Sequence, residues 1–323
     1  MALKLEELNH VELAQLPRDR TVVFLPVAPI EEHGPHLPYG VDPILSQYFC
    51  EHLADRLAAS HKDWSMVLHP TLWCGSDTLK YLGSIEVKQI LVRELVYAVA
   101  SKFAADGFKY LVVLGAHGGP RHIVALEEAA AKISWRYRLR GARMLAPLGG
   151  FITNVLSGRM IPHLEERMRA LGTPLTDEER GAIATDYHAG MMETSIMMVV
   201  RPDLVKPQYK DLKPAIVDKF WKIRPSSGQT VGGGFGHLGS PHLARPEIGR
   251  AAIDVLLDEL TPVLERFVAG DRKVAAQTRS LFYYIPIYRP MFVYAGFLAA
   301  SLVVFYALMA YFMTFTAGMF SNQ

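Results

Sequence analysis

The stretch Val22-Val23-Phe24-Leu25-Pro26-Val27-Ala28-Pro29-Ile30-Glu31-Glu32-His33-Gly34-Pro35-His36-Leu37-Pro38-Tyr39-Gly40-Val41-Asp42-Pro43 decides how this chain is read. An apolar, β-rich run ends in two histidines and three carboxylates. Such a run reads as a buried strand, and open α/β sheets carry their sites beyond the carboxyl ends of strands. Glu31 and His33 are two residues apart, so in an extended segment they project to the same side and can grip one ion together. Asp42 returns a further carboxylate after a short Gly/Pro-rich loop. Imidazole with carboxylate oxygen suits Zn²⁺, Mn²⁺ or Fe²⁺ rather than the all-oxygen cages of Ca²⁺, and the lack of thiolate argues against a structural zinc knot. Asp42 before Pro43 also fits a helix N-cap followed by proline at the first helical position, and both readings stay open here.

Working outward, further β-rich runs cover Thr21 to Val27, Ser65 to His69, Tyr110 to Leu114 and Arg143 to Leu148. Helical patterns lie between and after them, at Pro43 to Ser60, Glu86 to Ala105, His122 to Tyr137 and Arg250 to Ala269. Strands alternating with helices of this length predict an α/β fold with a largely parallel sheet flanked by helices. The segment Gly228 to Gly239 holds six glycines and reads as an active-site loop. With no P-loop lysine and no strand before it, it is not a phosphate cradle.

At 323 residues with a net charge of +2 and two cysteines, the chain shows no polyanion-binding stripe and no disulfide framework. Nucleic acid is therefore not an expected partner. Pro290 to Gln323 has no acidic, basic or histidine residue, and Met291 to Met313 is almost continuously apolar. At ~1.5 Å per residue it is long enough to cross a ~30 Å hydrocarbon core. Arg272, Lys273, Arg279 and Arg289 precede it and no Lys or Arg follows, which places the main domain on the cytoplasmic side. Gly296 and Ala300 form a small-xxx-small pair suited to helix association. The expected division is a domain over 1–270, a basic and aromatic juxtamembrane linker over 271–290, a membrane helix over 291–315 and a short tail over 316–323.

The strand Tyr110 to Leu114 runs into Gly115-Ala116-His117-Gly118-Gly119-Pro120, where a histidine among small residues can approach a metal. Farther on, Asp186-Tyr187-His188-Ala189-Gly190-Met191-Met192-Glu193-Thr194-Ser195 leads into an apolar run. His188 and Glu193 would be ~140° apart on one ideal helix. His188 is therefore expected to precede a helix whose first turn carries Glu193.

The segment Leu25 to Pro38 with Asp42, the turn at Ala116 to Gly119, the block His188-Ala189-Gly190 to Glu193-Thr194-Ser195, and Gly236 to Ala244 resemble the creatininase (creatinine amidohydrolase) family over about residues 20 to 265. The resemblance implies a parallel α/β fold, a centre of one or two divalent ions, and hydrolysis of a small non-peptide amide, cyclic or of formamide type. Glu31, His33, Asp42 and His117 match metal ligands, Asp42 as the bridging carboxylate. In creatininase itself a glutamate two residues after the loop histidine binds metal; Gly119 stands there in this chain, and Glu193 is expected to serve instead. His188 matches the histidine that moves protons, and His36 and Asp186 are expected to orient a ligand or meet substrate. Family members form rings, so a homo-oligomer is expected. The family's usual asparagines flanking the loop histidine are Ala116's neighbour Gly115 and Pro120 here, and Lys80 and Gly83-Ser84 occupy a shortened substrate loop. These departures leave a second reading, a non-catalytic accessory subunit docked in a membrane complex through its terminal helix.

Overall fold

The computed structural model describes residues 2–320. Six strands form one parallel sheet: β1 (Leu3–Lys4), β2 (Thr21–Ala28), β3 (Ser65–Leu68), β4 (Leu72–Trp73), β5 (Tyr110–Leu114) and β6 (Arg143–Leu145). Their order is β1-β3-β2-β5-β6, with β4 also pairing with β2. Central β2 pairs with β3 through Thr21 to Phe24 and with β4 through Val27 and Ala28. Pro26 falls between those two registers, where its missing N–H costs no ladder bond on that side.

The principal helices are α1 (Val41–Ser60), α2 (Gln89–Ala105), α3 (Pro120–Arg136), α4 (Met191–Val200), α5 (Pro246–Val268) and α6 (Pro290–Phe320). Alternation along the strands sorts side chains into two cores. Val22, Phe24, Val112 and Leu114 pack with α1 and α5, including Phe49, Leu53, Leu257 and Phe267. Val23, Leu25, Leu111 and Val113 pack with α2 and α3, including Val92, Val96, Ala125 and Ala129. Helices thus cover both faces, as a buried parallel sheet requires.

Several element boundaries differ from the sequence reading: α3 starts at Pro120 rather than His122 and α5 at Pro246 rather than Arg250, each with proline in its first turn, and three further differences have a local reason. Strand β6 stops at Leu145, and a helix runs over Leu148–Leu156 after Pro147. Helix α2 starts at Gln89 rather than Glu86, because the Glu86 carboxylate accepts from the backbone N–H groups of Asp77 and Thr78. Helix α1 is capped at Gly40, so Asp42 lies inside the first turn and its side chain does not cap.

The chain divides into two compact units, Met1–Phe282 and Tyr283–Gln323. The first continues past 270 because the following segment packs back: the N–H and hydroxyl of Ser280 both donate to the buried Glu127 carboxylate, and Gly150 N donates to Thr278 O. In the second unit, Ala295–Met313 has a mean hydropathy of 2.0 with none of its surface buried. It is the one helix among the described residues long and apolar enough to cross a membrane.

Candidate metal centre

All strands being parallel, their carboxyl ends open on one edge. The loop after β2 delivers Glu31 and His33, closed by the Glu31 N–H donating to Tyr39 O. Helix α1 delivers Asp42 from its first turn. Ser46, one turn on, accepts from Ala116 N at 2.8 Å and so ties the loop after β5 to α1. A Cβ at Gly115 would lie 2.3 Å from Val27 O, so only glycine permits the close approach of β2 and β5 that brings His117 beside Asp42. His188 precedes α4 and exchanges backbone hydrogen bonds with Leu238 in the glycine-rich loop. Glu193 occupies the first turn of α4.

These side chains converge. His33 Nε2 lies 3.2 Å from Asp42 Oδ1 and 3.8 Å from Glu193 Oε2. His117 Nδ1 lies 3.0 Å from Asp42 Oδ2 and 3.2 Å from Glu31 Oε2. Two three-donor groups therefore share Asp42: Glu31, Asp42 and His117 on one side, and His33, Asp42 and Glu193 on the other. A third overlapping group is Glu31, His33 and His188. In each, the donor atoms lie within 4.8 Å of one another.

The opposite edges of both imidazoles are already committed. His33 Nδ1 donates to Glu31 O and His117 Nε2 to Ser76 O, each at 3.0 Å. In the neutral rings the nitrogens facing the carboxylates carry the lone pairs, the arrangement that prepares imidazole for a metal. Glu31 Oε1 accepts from Leu79 N, and Glu193 Oε2 from Ala189 N at 2.6 Å. Glu31 Oε2, His33 Nε2 and Asp42 Oδ2 remain buried without a hydrogen-bond partner among the described residues. Acceptors packed against acceptors at 1% exposure call for a cation between them. The donor set fits a divalent transition ion.

The electrostatics agree. Burial disfavours charge on every member, yet the paired fields prevail. His33 is raised to about 10, with Asp42 overcoming burial. His117 rises well above the usual imidazole range under Glu31 and Asp42. Asp42 and Glu31 are lowered despite burial, by their histidine neighbours. Without a cation, protons take its place.

The other expected residues lie beside this cluster. His36 is pushed down to about 3 by burial and the nearby His237, and its Nε2 meets Thr194 Oγ1 at 2.9 Å. Asp186, raised to about 6 by burial, accepts from the N–H groups of Met191 and Met192 and so fastens the start of α4. His188 Nε2 donates to Glu32 O at 2.6 Å, with its ring centroid 4.3 Å from that of His33. Gly119 lies where a Cβ would be 2.6 Å from His117 Nε2 and 2.8 Å from Ser76 O, so this backbone takes no side chain there.

Sequence reading missed the groups that orient the cluster: Ser76 O, Leu79 N and Ser46 Oγ. The first two are backbone atoms of the 76–84 loop and leave no trace in residue identity. Asp77 in that loop holds φ +62°. Its carboxylate is pinned by the backbone N–H and side chain of Arg121, which fixes the loop against α3.

The sequence profile of the family described as "Creatininase: Creatinine amidohydrolase" matches residues 6–264. Among characterised relatives, the "Mycofactocin precursor peptide peptidase" of Mycobacterium ulcerans is 22% identical over 273 residues, covering 82% of this chain and 93% of the relative. The "3-dehydro-scyllo-inosose hydrolase" of Thermotoga maritima is 24% identical over 275 residues, covering 77% and 79%. A crystal structure of creatinine amidohydrolase (creatininase) superposes with a TM-score of 0.60 at 20% identity, covering 83% of this chain and 98% of that one. A putative creatinine amidohydrolase from Bacteroides fragilis gives 0.60 at 20% identity, covering 84% and 98%. A structure described as "Creatininase Mn" gives 0.60 at 19%, covering 83% and 99%. At these identities the structures establish a shared fold.

Proposed function

The chain belongs to the creatininase family, and from that premise we propose that it is a membrane-anchored, metal-dependent amidohydrolase cleaving a small non-peptide amide, of cyclic amide or formamide type. One observation carries the reading: two three-donor groups sharing Asp42, with buried acceptor atoms facing one another. Glu31, Asp42 and His117 would hold one ion and His33, Asp42 and Glu193 a second, of Zn²⁺, Mn²⁺ or Fe²⁺. Relatives described as "Creatininase Mn" and "Zn-Zn type" support that choice.

When bound, a divalent ion supplies Lewis acidity that polarises a carbonyl and acidifies a water molecule. The chain's own groups supply the rest. Asp42, its single negative charge shared by an oxygen facing His33 and one facing His117, joins the two halves of the centre. The Glu32 carbonyl fixes His188 through Nε2 and leaves Nδ1 for passing a proton to the departing nitrogen. Glu31, His33 and Asp42 are 1% exposed whereas the Glu193 side chain is 27% exposed, so substrate enters from the Glu193 and His188 side. Burial of the remaining face excludes bulk water and strengthens the local field.

Membrane attachment is assigned to Ala295–Met313. An apolar residue such as Leu, Phe or Val at the centre of a spanning helix contributes about 0.3–0.6 kcal/mol, whereas one charge there costs about 2.5–3.5. This segment has many of the former and no charge. The basic residues before it support a cytoplasmic orientation of the domain, and the family's rings make a homo-oligomer the expected assembly.

The test is metal analysis of the purified full chain, followed by an amide-substrate screen. One or two divalent ions per chain, lost in Asp42→Ala, with hydrolysis lost alongside, is the expected result. Equally little metal in wild type and Asp42→Ala overturns the metal reading. Full metal with no hydrolysis in the screen favours the accessory-subunit reading.

A further inference from the structure

The compact unit ends at the surface beside an aromatic and basic cluster that the hydrolytic site does not use. Phe282 packs on Phe220, with ring centroids 5.5 Å apart. The next residue along, Trp221, is 70% exposed, and Leu281, next to Phe282, is 58% exposed. Lys219 Nζ stands 5.9 Å from the Trp221 ring, Lys222 pairs with Asp218, and Arg224 donates to Trp221 O. Three cations and one carboxylate lie within three residues of an indole that buries little.

The projection is built rather than loose. Phe220–Lys222 is a single 3-10 turn, closed by Ile223 N donating to Phe220 O. Arg224 N donates to Ser227 Oγ, and Lys80 N to Pro225 O. A solvent-facing tryptophan set on a hydrogen-bonded turn among cations matches what membrane interfaces select: an amphipathic ring at headgroup depth and basic side chains for anionic lipid. Chain connectivity supplies the second argument. Residues 283–294 are all that join Phe282 to the apolar span, at most ~40 Å even if fully extended. The cluster therefore lies within tether reach of any bilayer that the helix enters.

We propose that Trp221 and Leu281, with Lys219, Lys222 and Arg224, dock the compact unit onto an anionic lipid surface. This rests on the membrane-anchor reading of Ala295–Met313. The docked face is also continuous with the metal centre's loops: Phe220 lies 6.2 Å from Tyr187, the neighbour of His188, and Pro225 holds the 76–84 loop through Lys80.

The protein's four tryptophans, Trp64, Trp73, Trp135 and Trp221, all precede residue 283. Quenching of tryptophan by brominated lipid therefore reports contact of the compact unit, not of the helix. The full chain is reconstituted in phosphatidylcholine vesicles with and without phosphatidylglycerol, and its retention is measured separately by carbonate extraction. The expected result is quenching that is stronger with phosphatidylglycerol, reduced by added salt and by Arg224→Glu, and abolished by Trp221→Phe while retention is unchanged. Retained protein without quenching overturns the docking and leaves the anchor standing. Quenching that survives Trp221→Phe places a different face on the bilayer and also overturns it. Protein released by carbonate sinks the anchor reading, and the docking with it.

Discussion

The metal centre and the terminal helix break the same rule in opposite directions. Soluble proteins bury apolar side chains and expose charged ones. Here Glu31, His33 and Asp42 are sealed at 1% exposure, while Leu298, Phe305 and Leu308 of α6 stand at 64%, 56% and 63%. Each inversion is costly in water alone, and each has a kind of partner that would relieve it: a cation for converging carboxylates and imidazoles, a hydrocarbon phase for an apolar cylinder. The two partners are expected to act independently. The donors of the cluster all lie in the first compact unit, and the apolar span lies in the second.

That independence can be broken by truncation, the largest expected effect. A chain ending at Phe282 should leave the membrane fraction entirely and stay soluble without detergent, yet keep its full metal content; sedimentation with elemental analysis reads both. Persistent membrane association would refute the single-helix account, and loss of metal would show that the two regions are coupled.

Next in size is Asp42→Ala. Because Asp42 belongs to both donor groups, its loss should empty both and lower affinity by well over the ~10–100-fold that removal of an outer-shell partner costs. The protein should meanwhile still partition into membranes. Glu193→Ala sharpens the contrast within the centre, since Glu193 belongs only to the His33 group. About half of the metal should remain, held by Glu31, Asp42 and His117. Loss of all metal would mean that the two groups bind as one.

The smallest effect is proton exchange on loading. In the metal-free state His33, raised to about 10, and His117, raised well above the imidazole range, both carry protons at neutral pH. A bound imidazole is neutral, so metal binding near pH 7 should release up to two protons and weaken as pH falls. Calorimetry in buffers of different ionisation enthalpy counts them. Zero release would show that the imidazoles are already neutral before metal arrives.

Much of this was legible before folding was considered. The apolar run through Val27 identified the central strand, and the crowding of Glu31, His33 and Asp42 pointed to a segment whose donors converge as a metal site needs. Placing His188 before a helix and Glu193 in its first turn also followed from helical angles, and α4 starts at Met191. What the residues left open was Asp42, equally readable as a cap. The helix begins two residues earlier than that cap requires, at Val41 with Gly40 as N-cap, and Asp42 turns to His33 and His117. The carbonyl of Ser76 and the amide of Leu79 had no signal, because every residue type carries them.

By itself, then, the order of residues determined the strand and helix periods, the chemistry of the donors and the presence of an uncharged span, since these depend on spacings of a few positions and on side-chain identity. Tertiary structure alone decided that His117 and Glu193 reach Asp42 and His33, that Gly119 has no room for a ligand, and that Phe220, the neighbour of Trp221, packs on the residue from which the chain leaves its compact unit. Those outcomes depend on how the parallel strands stack and where their carboxyl ends meet, which is a matter of distance through space between groups far apart along the chain.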